Sequence, residues 1–105
     1  MKIITIIGSM KFINEMMEIA IDLELKGNCI LMPVFCNSRG KEGFTDEEER
    51  ILNKGHYEKI KISDAVLVCN INHYIGNQTK KEIELAKMLN KEIIYYTDLC
   101  DKQYF

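Results

Sequence analysis

The chain contains no tryptophan, a single proline (Pro33) and no CxxC pair among its four cysteines, Cys29, Cys36, Cys69 and Cys100. That spacing argues against a zinc site and against thioredoxin-like chemistry, and it suits buried or half-buried free thiols. A basic stripe is also missing: 14 basic and 16 acidic residues are interspersed to a net charge of -2, which offers a nucleic-acid backbone little to hold. The longest apolar runs are strand-sized, far short of the ~20 residues that cross a bilayer, and no basic segment leads into an apolar one at the N-terminus. The expected setting is cytoplasmic, with neither a membrane nor a nucleic-acid polymer as partner.

What is present is the balance of a globular core: 47% hydrophobic and 29% charged residues over 105 positions. One core is the usual solution at this length, so residues 1–105 read as a single domain. No repeat or low-complexity segment competes with that reading.

Ile3 to Ile7 is a β-branched run without alternation, the pattern of a strand buried on both faces. Ser9 follows as an N-cap, and Ile13, Met16, Met17, Ala20 and Leu23 recur at helical spacing until Gly27, which predicts a helix from Met10 to Lys26. Cys29 to Met32 is a second strand closed by Pro33, and the polar segment from Cys36 to Phe44 reads as a loop suited to a lid. Thr45 and Glu48 form a capping box that opens a charged helix, expected to break near Gly55. Ala65 to Cys69 is a third strand, Asn70 to Gln78 a loop, Thr79 to Leu89 an amphipathic helix, and Ile93 to Tyr96 a fourth strand. The tail from Thr97 to Phe105 suits either packing on a neighbour or a short edge strand.

The order β-α-β-α-β-α-β predicts right-handed crossovers and an α/β fold: a doubly-wound, Rossmann-like parallel sheet of four to five strands, order 2-1-3-4(-5). Ligands of such sheets bind beyond the carboxyl ends of the strands, where the winding reverses, here between strands one and three. Gly8 and Ser9 follow strand one; Asn70 and Asn72 follow strand three. The turn Gly8-Ser9-Met10-Lys11 enters a helix N-terminus whose free amides favour an anion, with Lys11 adding charge, though an ordinary serine cap beside a solvated lysine has the same residues. Glu82, three residues after Thr79, fits a capping box; it also fits a carboxylate nucleophile facing the crevice.

Three segments, GSMK after strand one, KISDAVLVCN at strand three and YIGNQTKKEIELA leading into the next helix, resemble the nucleoside 2-deoxyribosyltransferase-like superfamily, whose members include nucleoside 5′-monophosphate N-glycosidases. The resemblance runs from Lys2 to about Tyr96 and is closest to short members carrying GSM and YIG-x-x-T-x-x-EI. It implies a parallel α/β fold and cleavage of the base–sugar bond by a glutamate near the start of the helix after strand three, without a cofactor or metal. Glu82 matches that position, whereas Glu84 falls where the better-known enzymes often carry glycine. Ser9 and Lys11 match the phosphate-binding turn, with lysine in place of arginine, and Gly8, Met10, Asn70, Asn72, Tyr74, Gly76 and Thr79 complete the expected substrate-binding set. Tyr74 and His73 suit the border of a base.

The family's usual aspartate, about two turns upstream of Ser63-Asp64, is His56 here. It fits a general acid, and its polar neighbours fit a solvated surface histidine. Asp64 reads as a fixture of the turn into strand three. Two functions follow: N-glycosidic cleavage or base transfer on a (deoxy)nucleoside or its 5′-monophosphate, or a catalytically weak module that senses or sequesters a nucleotide. The resemblance further implies a homodimer or higher homo-oligomer, because family sites often borrow residues from a neighbouring subunit.

Overall fold

A computed structural model describes residues 1–34 and 43–101. Strand β1 (Ile3–Ile7) is followed by a three-residue 3-10 turn (Met10–Phe12) and helix α1 (Ile13–Leu25). Then come β2 (Cys29–Leu31), α2 (Asp46–Ile62), β3 (Ala65–Val68), α3 (Asn77–Met88), β4 (Glu92–Tyr95) and the short α4 (Tyr96–Asp101). All pairings are parallel and the order is β2-β1-β3-β4, the doubly-wound arrangement expected from the sequence.

The continuous apolar runs of β1 and β3 are buried because helices cover both faces of the sheet. Ile4, Ile6, Ala65, Leu67 and Cys69 face Met16, Ile19 and Ala20 of α1, with Leu99 of α4 packed alongside. Ile7, Val66 and Val68 face Ile60 of α2 and Ile83 and Ala86 of α3. The winding therefore reverses between β1 and β3. Among the described residues no helix is long and apolar enough to cross a membrane.

Local signals account for the element ends. Gly27 takes φ +95°, and Asn28 N donates to Leu23 O at 3.1 Å, the Schellman geometry that stops α1. The Thr45–Glu48 capping box forms in both directions. Asp64 ties the amino edge of the sheet: its carboxylate accepts from Ile3 N at 2.8 Å, and its own N–H donates to Ile3 O at 2.8 Å.

Four expectations change. Helix α1 starts at Ile13, because Met10–Phe12 winds as a tighter 3-10 turn. Helix α2 runs unbroken through Gly55, whose position is open to solvent and asks nothing of its backbone beyond helix. Helix α3 begins at Asn77, two residues early, launched by the extended backbone of Gly76. Thr79 and Glu82 thus sit inside the helix and make no capping box. After β4 the chain turns at once into α4, so the described sheet has four strands and no fifth. The expected lid from Cys36 to Phe44 lies, through residue 42, outside the described residues, as do Tyr104 and Phe105.

Candidate functional site at the carboxyl edge of the sheet

Helices α2 and α3 lie side by side on one face of the sheet. There His56 of α2 meets Glu82 of α3, with Nε2 and Oε2 3.2 Å apart. Both are buried, 7% and 5% exposed, which corrects the surface setting that the polar neighbours of His56 suggest. Its inward direction follows from helix periodicity: His56 is one turn from Ile60, which reaches the core. Nε2 thus faces the carboxylate at ion-pair distance, and each side chain limits the room of the other. Its other nitrogen, Nδ1, is buried and has no hydrogen-bond partner among the described residues.

A second bridge reinforces the pair. Gln78 Nε2, one turn before Glu82, donates to the hydroxyl of Tyr57, the neighbour of His56, at 3.0 Å. Sequence reasoning passed over Tyr57 and Gln78; the signal was their adjacency to His56 and their one-turn offset from Glu82. Thr79 is buried on the same inward side of α3.

The loops after β1 and β3 converge as expected. Space at Gly8 is tight, because a Cβ would come within 3.1 Å of Cys69 Cβ and 3.3 Å of Cys69 O. Ser9 Oγ accepts from Lys11 N at 3.4 Å and Ser9 O from Phe12 N at 3.0 Å, so these amides are engaged within the turn. Met10 is exposed. The ammonium of Lys11 lies 3.4 Å from the Tyr74 ring centroid and 5.3 Å from that of Phe12, and the two rings meet edge-on at 6.0 Å. Tyr74 also lies over Gly76, where a Cβ would approach its hydroxyl to 3.5 Å.

Asn70 stands where expected, but its carboxamide is committed. Nδ2 donates to Thr97 Oγ1 at 3.1 Å, and Oδ1 accepts from Thr97 N at 3.2 Å. This clasp fastens the end of β3 to the start of α4 and makes Asn70 a brace of the loop. Asn72 and His73 follow with φ of 54° and 62°, two consecutive left-handed residues exposed at the rim. Such backbone is uncommon outside glycine, though Asn and His adopt it more readily than most residues.

Among the described residues no group of three or more His, Cys, Asp or Glu is placed to share a metal ion. A groove of about 520 Å³ runs along β4, lined by Leu23 of α1, Lys2, Glu92, Ile94 and Leu99 of α4 among others, and includes no candidate site residue. The structure thus holds a buried carboxylate paired with an imidazole between α2 and α3, and a cation–aromatic rim on the loops after β1 and β3. No protein-family model matches this chain, and no curated protein matches it.

Proposed function

We propose that the protein cleaves the N-glycosidic bond of a (deoxy)nucleoside or its 5′-monophosphate, or exchanges the base across that bond, with Glu82 as nucleophile and no cofactor. The observation that carries this reading is the buried His56–Glu82 pair, joined across two helices at 3.2 Å. A carboxylate fixed in this way suits a transition state that builds positive charge on a sugar ring.

In this scheme a Glu82 oxygen bonds to C1′ as the C1′–N bond breaks, and the bonding electrons leave with the base, which takes up a proton. His56 orients Glu82 through Nε2 and, when protonated, has a second N–H at Nδ1 to give. Water then opens the glycosyl ester and restores the carboxylate; in transfer, a nitrogen of a second base does so. Gly8, Ser9, Met10 and Lys11 face the phosphate in this reading, while Asn72, Tyr74 and Gly76 border the base. Asn70 and Thr79 act as supports. Assembly into a homodimer or larger homo-oligomer belongs to the same reading.

The test is chromatographic detection of free base after incubation with a panel of nucleosides and 5′-monophosphates. Wild type releases base from at least one member, and Glu82→Gln, which keeps the side-chain shape, does not. Lys11→Ala loses about tenfold in kcat/KM on monophosphates, about 1.4 kcal/mol, and little on nucleosides. Absence of release from every member overturns the enzymatic reading. Micromolar nucleotide binding in that case identifies a binding module.

A further inference from the structure

We infer that the outer pole of α1 is a docking surface for a basic amphipathic helix of another protein. Met17, Ile21 and Leu25 are 50%, 47% and 82% exposed, and their four-residue spacing lines them along one face of the helix. They are not needed for folding, because α1 already anchors itself through Met16, Ile19 and Ala20. The result is a second apolar stripe, on the side of α1 turned away from the sheet.

Charge selects the occupant. From Ile13 to Leu25 the helix carries Glu15, Glu18, Asp22 and Glu24 and no basic residue. Helical periodicity sets Glu18 beside the stripe on one flank, with Asp22 and Glu15 beyond it; Glu24, on the other flank, accepts from Ile30 N at 3.1 Å. A two-fold antiparallel pairing with a second copy would bring Glu18 and Asp22 against the same residues, like charge against like. An anionic membrane would be repelled by the same carboxylates. A helix with apolar anchors at matching spacing and lysine or arginine on its flanks satisfies both the stripe and the acids. Because α1 covers the sheet face opposite α2 and α3, this surface is separate from the His56–Glu82 pair.

The experiment uses the full chain and a fluorescent synthetic peptide with leucine anchors at helical spacing and lysine flanks, read by anisotropy. A counterpart peptide carries glutamate flanks. The basic peptide binds, the acidic one does not, and raising the salt concentration weakens binding. Ile21→Glu and Leu25→Glu each lower affinity about tenfold or more. Both substitutions add charge of the attracting sign, so a purely electrostatic contact would tighten instead. Both positions are exposed, and far-UV circular dichroism verifies that the variants fold. The inference is overturned if the basic peptide fails to bind or Ile21→Glu and Leu25→Glu bind it as wild type does. It is equally overturned if the chain alone self-associates in sedimentation through Ile21, or if α1 binds phosphatidylserine vesicles in preference to the peptide.

Discussion

His56 and Glu82 are donated by different helices, with β3 between them in sequence, yet their side chains are each less than a tenth exposed and meet at 3.2 Å. Each is the other's means of being buried. Removing one member of such a pair leaves an uncompensated polar or charged group in the interior, at a cost on the order of 3 kcal/mol. His56→Ala and Glu82→Ala are therefore expected to lower stability by amounts of that order in urea unfolding. The double variant costs clearly less than the sum of the two. Strict additivity would mean that the two groups do not support each other.

Two glycines make opposite predictions. Gly8→Ala forces a Cβ to 3.1 Å from Cys69 Cβ, with backbone close behind, and should cost about 1–3 kcal/mol. Gly55→Ala meets nothing within 4 Å on the solvent side of α2 and should stabilise by about 0.5–1 kcal/mol. Thermal unfolding of both variants reads the contrast directly, with Tm falling in the first and rising by about 4 °C in the second.

Burial, and secondarily the Glu15 carboxylate, pushes the Cys69 thiol up to about 11 from its ordinary 9.0. At pH 8 it stays protonated and unreactive, so mass-resolved alkylation should modify half-buried Cys29 well ahead of Cys69. The pH dependence follows from linkage. Below about pH 9 both folded and unfolded thiols hold their proton, and the contribution to stability is complete. Between pH 9 and about 11 only the unfolded chain releases it, so stability falls as pH rises. Cys69→Ser removes that component of the slope; an unchanged slope would show that Cys69 does not contribute it.

The sheet was legible because the runs Ile3–Ile7 and Ala65–Val68 bury both faces and leave little choice of partner. Gly27 and the Thr45–Glu48 box were legible because they act within a few residues. The misreadings share a cause: a local pattern with two uses. Thr79 and Glu82 have capping-box spacing, but the backbone of Gly76 starts α3 earlier and needs no side chain to do so. Gly55 reads as a breaker, yet α2 is held at both ends of that position by its capping box and by Ile60 in the core. His56 reads as a surface residue from its neighbours in sequence, while its neighbours in space lie on α3. The Asn70–Thr97 clasp joins residues 27 positions apart and the Tyr57–Gln78 bridge residues 21 apart. Only the assembled fold reveals pairings of that kind.

Beneath the end of α2 the apolar face holds a knot of hydroxyls. Thr5 Oγ1 hydrogen-bonds to Ser63 Oγ, and both hydroxyls reach Lys59 O, at 3.1 and 2.7 Å respectively. A helix resting on a smooth hydrocarbon surface has neighbouring resting places one turn away, about 5.4 Å along its axis. This knot works as a detent. A slip of one turn would strand the Thr5 hydroxyl against hydrocarbon, at about 1–3 kcal/mol, and would carry His56 past Glu82. The position of the imidazole opposite Glu82 is thus set by a polar catch near the middle of β1.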